Sequence, residues 1–243
     1  MNMEILVLSL LTIIASFIAG VSGFGFAVFL MSFFPIFLGV KDANVLVSLA
    51  GIAFTVYMFV PFRRKVRWWI VARVIAGMAV GIPAGVWVLV RIDERFLSIG
   101  LGTFIILYVV YDLLFRHRIK KQVPLIFGYF AGFLGGAFAG AITAGGPPIV
   151  AFFSSLKYDK ETTKANLLAY ITVALLYKAV FLVYYRLITQ QMLVYTAVLL
   201  IPSFIGMLGG KAVFTRISND VFRKVVLGIL FIAAVVILVK AAF

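Results

Sequence analysis

Gly140-Ala-Ile-Thr-Ala-Gly-Gly-Pro-Pro148 sits in the middle of an apolar stretch that runs from Pro124 to Leu156. Two glycines followed by two prolines cannot continue a helix, and the apolar piece after the break is only about ten residues long. A second break, Gly20-Val-Ser-Gly-Phe-Gly25, interrupts a stretch that stays apolar for 36 residues, from Ile5 to Val40. At 1.5 Å per residue that stretch measures about 54 Å, too long for one membrane crossing and tight for two plus a turn. Each place predicts a pair of short helices meeting at an unwound elbow. The pair either spans twice or turns back inside the membrane.

Working outward, the whole chain has the character of these stretches. Of 243 residues, 65% are hydrophobic and 12% charged, with a mean hydropathy of +1.19. Soluble domains run about 45–50% apolar and about 25% charged, so a soluble fold and a disordered chain are both excluded. A membrane β-barrel would need roughly 10-residue segments of alternating polarity, whereas the apolar runs here are continuous. The expectation is an all-α polytopic membrane protein. Lys and Arg number 22 against 8 Asp and Glu, which in a bilayer protein points to cytoplasmic loops rather than to nucleic acid. The absence of cysteine removes thiol catalysis, disulfides and cysteine-bound metals. A single histidine, His117, removes any two-histidine metal site.

Apolar runs between charge clusters predict helical pieces at about 4–20, 24–40, 44–61, 69–90, 96–115, 123–142, 147–156, 165–185, 191–215 and 221–242. The acidic start Met1-Asn2-Met3-Glu4 makes the first piece part of the mature protein rather than a signal peptide. Each broken pair returns the chain to the side it left. The connections at 41–43, 91–95 and 186–190 then share one side with both termini. Those at 62–68, 116–122, 157–164 and 216–224 share the other, which carries fourteen Lys and Arg against five. By the positive-inside rule the richer side is cytoplasmic, and both termini lie outside.

The chain also matches itself at a shift of about 120–126 residues. Gly20 and Gly25 meet Gly140 and Gly145, and Ala43-Asn44-Val-Leu46 meets Ala165-Asn166-Leu-Leu168. Gly81-xxx-Gly85 meets Gly206-xxx-Gly210, and Arg91-Ile92 meets Arg216-Ile217. The expected organisation is therefore two inverted repeats, 1–120 and 121–243, each a broken hairpin plus three transmembrane helices, in one membrane domain of 8–10 segments. Inverted repeats with broken helices are the pattern of secondary transporters, whose substrates bind where the breaks meet.

Helices restarting near Gly25 and Pro147 would aim free N–H groups and a positive dipole end at a shared cavity, which makes an anion site. The candidate substrate ligands are Ser22, Gly23 and Gly25 at the first elbow, with Thr143, Gly145, Gly146 and Pro147 at the second. Asn44 and Asn166, each opening the following helix, serve either as ligands or as N-caps. Lys178, inside the eighth piece, either meets substrate or snorkels to the outer interface. The glycines at 81, 85, 206 and 210 read instead as close-packing positions between helices. Arg73, Asp112 and Lys211 read as interfacial, His117 as solvated, Trp68 and Trp69 as interfacial anchors, and the phenylalanines as lipid-facing and packing surface. No carboxylate pair, Ser/His/Asp set or nucleotide-binding glycine loop has usable spacing, so neither an enzyme nor a bound cofactor is expected.

Gly23-Phe-Gly-Phe-Ala27 with Pro35, then Gly145-Gly-Pro-Pro-Ile149 followed by Lys164-Ala-Asn166 and Tyr170, resembles the sulfite exporter TauE/SafE family of membrane permeases. The resemblance extends over essentially the whole chain. It implies a permease that moves a small anion (sulfite, thiosulfate or an organosulfonate) across the cytoplasmic membrane. Alternating access of the two halves is the expected mechanism; an anion channel of the same architecture and a non-transporting scaffold are the alternatives. The expected partners are a small anionic substrate and membrane lipids, with no nucleic acid. Direction, coupling ion and assembly into a homo-oligomer stay open.

Overall fold

Hydropathy and helix caps together set the elements. A computed structural model describes residues 3–22, 25–114, 123–213 and 219–242. Among these it places α1 (Met3–Ser22), α2 (Phe26–Leu38), α3 (Val40–Phe59), a 3-10 turn (Val60–Lys65), α4 (Trp68–Arg91) and α5 (Glu94–Leu114). The second part holds α6 (Phe127–Ile142), α7 (Gly146–Ser155), α8 (Lys160–Tyr184), α9 (Gln190–Val213) and α10 (Asn219–Ala242). Six of the helices are long and apolar enough to cross a membrane, and the chain is an all-α polytopic membrane protein.

Three starts differ from expectation by four residues or more. α6 begins at Phe127 rather than 123, after a turn at 125–126. α3 begins at Val40 rather than 44 and α8 at Lys160 rather than 165, because polar first turns extend both helices beyond their apolar runs. α8 is capped by Asp159, whose carboxylate accepts from Thr162 N at 3.4 Å. Hydrogen bonding from Thr162 holds that carboxyl below its ordinary range.

α7 has 10 residues, about 15 Å, half of a hydrocarbon core about 30 Å thick. It doubles back along α6, where a Cβ at Gly135 would come within 2.7 Å of Ile149 Cδ1 and one at Gly128 within 3.0 Å of Phe152 Cζ. α6 also packs along α4 at backbone contact. Side chains at Gly77, Gly81 and Gly85 would overlap the carbonyls of Tyr129, Phe133 and Ala137, while Gly132, Gly136 and Gly140 face α4 in return. α9 meets α1 in the same way, Gly206 and Gly210 lying on the carbonyls of Ile13 and Phe17. In lipid, helices associate by such close packing rather than by burying apolar area, so the Gly-xxx-Gly positions are packing sites, as read. Several buried hydroxyls inside spans are satisfied one turn back, Thr12 donating to Leu8 O at 2.7 Å and Thr55 to Gly51 O at 2.8 Å, whereas Thr172 Oγ1 in α8 is buried without a partner.

α3 and α8 pack against each other, α3 also against α9 and α8 against α4, with α5 paired to α10. One end of the bundle gathers 39–41, 91–95 and 240–242. There Glu94 accepts from Val40 N at 2.5 Å, in space that a side chain at Gly39 (φ 80°) would fill. Arg95 donates to Ala241 O at 2.9 Å and Lys240 to Ile36 O at 2.8 Å. The opposite end gathers 60–67 with the start of α8 through the Lys65–Glu161 ion pair and Lys164 lying 5.3 Å over the Phe62 ring. These groupings follow the loop assignment read from charge. Trp69 is 74% exposed at this second end, with Arg73 4.4 Å over its ring.

Asp112, two residues from the end of α5, is 6% exposed and falls on the same face as Leu97, Leu101, Ile105 and Val109, the face buried in the core. His117, the side chain of Lys211, and the basic loops at 116–122 and 216–218 lie outside the described residues.

Candidate functional site

The second elbow is organised by an unusual backbone position. α6 ends at Thr143, which adopts φ 53° and ψ 21°. Its N–H bonds to Ala139 O at 3.1 Å and Ala144 N–H reaches back to Phe138 O at 3.4 Å, an αL termination normally given to glycine. A β-branched residue there is strained by about 1–2 kcal/mol, so its side chain is held by something. Thr143 Oγ1 accepts from Lys178 Nζ at 2.8 Å and donates to Asn44 O at 3.3 Å. Ser48 Oγ lies 3.4 Å from it.

Lys178 is 0% exposed and does not snorkel. Its ammonium donates to Asn44 Oδ1 at 2.6 Å, Ala139 O at 2.7 Å and Thr143 Oγ1 at 2.8 Å, which uses all three of its protons. Asn44 Nδ2 in turn donates to Ala141 O at 2.8 Å and Gly140 O at 3.4 Å. Lys178 and Asn44 thus cover the last carbonyls of α6, the groups a helix C-terminus leaves without partners. A positive group there also faces the negative end of the helix dipole.

α7 then starts within the fold. Gly145 is its N-cap and makes no side-chain cap bond, and Pro147 occupies the first turn. Pro147 and Pro148 have no N–H, so the open donors of this terminus are the amides of Gly145 and Gly146. Gly145 is also pressed against α6, where a side chain would overlap Gly135 O and lie 2.8 Å from Ala139 Cβ.

The structure brings Asn44, Thr143 and Lys178 into one cluster, with Gly145, Gly146 and Pro147 directly after it in the elbow. Asn44 sits four residues inside α3 and Asn166 six residues inside α8, so neither opens or caps its helix. Asn166 lies more than three turns from Lys178 along α8, towards the opposite end of the bundle. Its Oδ1 accepts from Arg67 N at 2.8 Å, which fixes the orientation of the amide, and its Nδ2 is buried without a hydrogen-bond partner. One turn further, the Tyr170 hydroxyl is likewise buried and unpartnered. It lies 2.9 Å from where a Cβ of Gly135 would stand, a position that also touches Ile149 in the first turn of α7.

At the first elbow, Gly25 takes φ 101° as the N-cap of α2, again with no side-chain cap. Ser22 ends α1, but its side chain and all of Gly23 lie outside the described residues. Phe26 stacks on Phe54 of α3 at 4.7 Å, and a Cβ at Gly51 would meet Leu175 of α8 at 3.0 Å and Phe26 at 3.9 Å. The start of α2 therefore reaches the α3–α8 pair about one helical turn from the Lys178 cluster. Sequence reasoning missed Ser48 and Ala139 O, and quoted Tyr170 only as part of a motif. Ser48 was findable, one turn from Asn44 on the same face; a backbone carbonyl carries no such signal.

A family model described as Sulfite exporter TauE/SafE matches residues 8–237. No curated protein and no solved structure matches the chain.

Proposed function

Since the chain belongs to the sulfite exporter TauE/SafE family, we propose that it carries a small sulfur-containing anion through the membrane by alternating access of two inverted halves, 1–120 and 121–243. The observation that carries this reading is the start of α7 inside the bundle, uncapped, with the buried and unpartnered Tyr170 hydroxyl near its first turn and a second unpartnered donor, Asn166 Nδ2, one turn away along α8. Asn166 Nδ2 and Tyr170 Oη are N–H and O–H groups without hydrogen-bond partners, and an oxyanion supplies only acceptors. A buried donor left unpaired costs about 1–3 kcal/mol, a standing cost that a transient anion would remove.

The substrate path then runs between the elbows. Its proposed ligands are Ser22, Gly23 and Gly25 from the first elbow, the first two as sequence candidates only, and Gly145, Gly146 and Pro147 from α7, with Asn166 below. Asn44, Thr143 and Lys178 form its polar border, Lys178 acting through its charge because its protons are already bound. The inverted halves are supported by packing that exchanges under a shift of five helices. α4 packs on α6 as α9 packs on α1, and α4 on α8 as α9 on α3. The basic end is assigned to the cytoplasm and both termini to the outside. No catalytic step is part of this reading.

The test is binding and flux together. Purified protein is heated with sulfite, thiosulfate, sulfate, a small sulfonate, a short carboxylate or a cationic control, and proteoliposomes are assayed for saturable uptake with counterflow. A ligand at about 100 times its Kd adds roughly 2.7 kcal/mol to stability; a shift confined to sulfur oxyanions or sulfonates is expected. Gly146→Leu should insert normally and lose both responses. Non-saturable flux would mean a channel, and silence to every anion from a folded protein a scaffold.

A further inference from the structure

We propose that the Lys178 ammonium occupies a monovalent-cation site, so that the protein carries a tethered cation where a dissolved sodium ion would otherwise sit. Three observations converge. The ammonium is held by three neutral oxygens of different kinds, an amide (2.6 Å), a main-chain carbonyl (2.7 Å) and a hydroxyl (2.8 Å). These come from α3, α6 and the elbow, and none is a carboxylate, so the cluster solvates a positive charge without neutralising it. The oxygens lie at the C-terminal end of a helix broken within the span, the place where discontinuous transporter helices coordinate sodium or protons. Finally, Thr143 is held in the αL region at φ 53°, with its hydroxyl and Ala139 O both on the ammonium.

A lysine that merely needed burial would do better to reach the interface along its own stem. Lys178 instead ends 0% exposed, with an oxygen for each of its protons. The first elbow has no counterpart, because the shift that aligns Asn166 with Asn44 (122 residues) puts Val56 at the position of Lys178. The tethered cation therefore has no lysine counterpart in the other half, and being covalently held it never leaves. The site itself stands on geometry alone; its meaning for coupling, that transport needs no sodium gradient, rests on the transporter reading above.

The test measures cations only, with chloride as the common anion and no substrate present, so its outcome is independent of the anion reading. Lys178→Ala removes the tethered cation and leaves the oxygens; Lys178→Met fills the same volume without charge. Both variants and the wild type are prepared as full-length protein and melted in sodium, ammonium or choline chloride at equal ionic strength. The wild type should melt alike in all three. Lys178→Ala should be less stable in choline and regain about 5 °C, saturably, in sodium or ammonium, because choline is too large for the cage. Lys178→Met should ignore the salt. A Lys178→Ala protein equally stable in choline and sodium would overturn the proposal, as would one that neither ion recovers in folded form. Equal sodium stabilisation of Lys178→Met or of the wild type would place the cation elsewhere and overturn it too.

Discussion

Tyr170 and Lys178 lie two turns apart on α8 and present opposite hydrogen-bonding problems. Lys178 has spent every donor, whereas Tyr170 is 2% exposed with a hydroxyl that has no partner. If that hydroxyl had no work to do, Tyr170→Phe would simply relieve an unpaired buried group. The expected outcome is therefore a split. Without anion, Tyr170→Phe should be at least as stable as the wild type, while its Kd for the stabilising anion weakens about tenfold, within the range of a hydrogen bond to a charged group. An unchanged Kd by thermal titration would take Tyr170 off the anion's path. The sequence made Lys178 visible as an ionisable residue inside an apolar span. It gave no sign of Lys178's partners, because Asn44 lies 134 residues away, Ala139 39 and Thr143 35.

Helix boundaries and packing faces belong to the next scale. Both breaks fall in glycine-rich stretches, the second also closed to a continued helix by Pro147 and Pro148, with α2 starting at Phe26 and α7 at Gly146, so the elbows were legible. The start of α3 was not, since Val40-Lys41-Asp42 is helical but too polar for a hydropathy window to include, and Asn44 was misread as opening the helix. Glycines divide by what surrounds them. A Cβ at Gly85 would overlap Ala137 O, whereas one at Gly100 on α5 would meet nothing within 4 Å. Gly85→Ala should therefore separate α4 from α6 and destabilise by about 1–3 kcal/mol. Gly100→Ala should stabilise by roughly 0.5–1 kcal/mol through lower chain entropy. Thermal or denaturant melts of the two variants check the contrast, and equal effects would contradict backbone-contact packing.

For the whole molecule, the natural lack of cysteine makes sidedness directly measurable. Single cysteines at Lys65 and Lys157 should react with an impermeant maleimide only after the inner face is opened, and those at Arg95 and Lys240 from outside in intact cells. The reverse pattern would invert the assigned orientation while leaving the fold untouched. At this scale the sequence by itself determined the membrane class, the positions of the breaks, the packing role of the Gly-xxx-Gly pairs and the charge asymmetry of the connections. Each follows from costs that are local and additive along the chain: apolar length against bilayer thickness, and the backbone limits of Gly and Pro. Tertiary structure alone decided which polar groups meet: Lys178 with Asn44, Thr143 and Ala139 O, and Asn166 with Arg67 N. Those meetings depend on the rotation and axial register of helices distant in sequence. Where lipid is as apolar as the side chains, that register is set by backbone contact between helices, which no local pattern records.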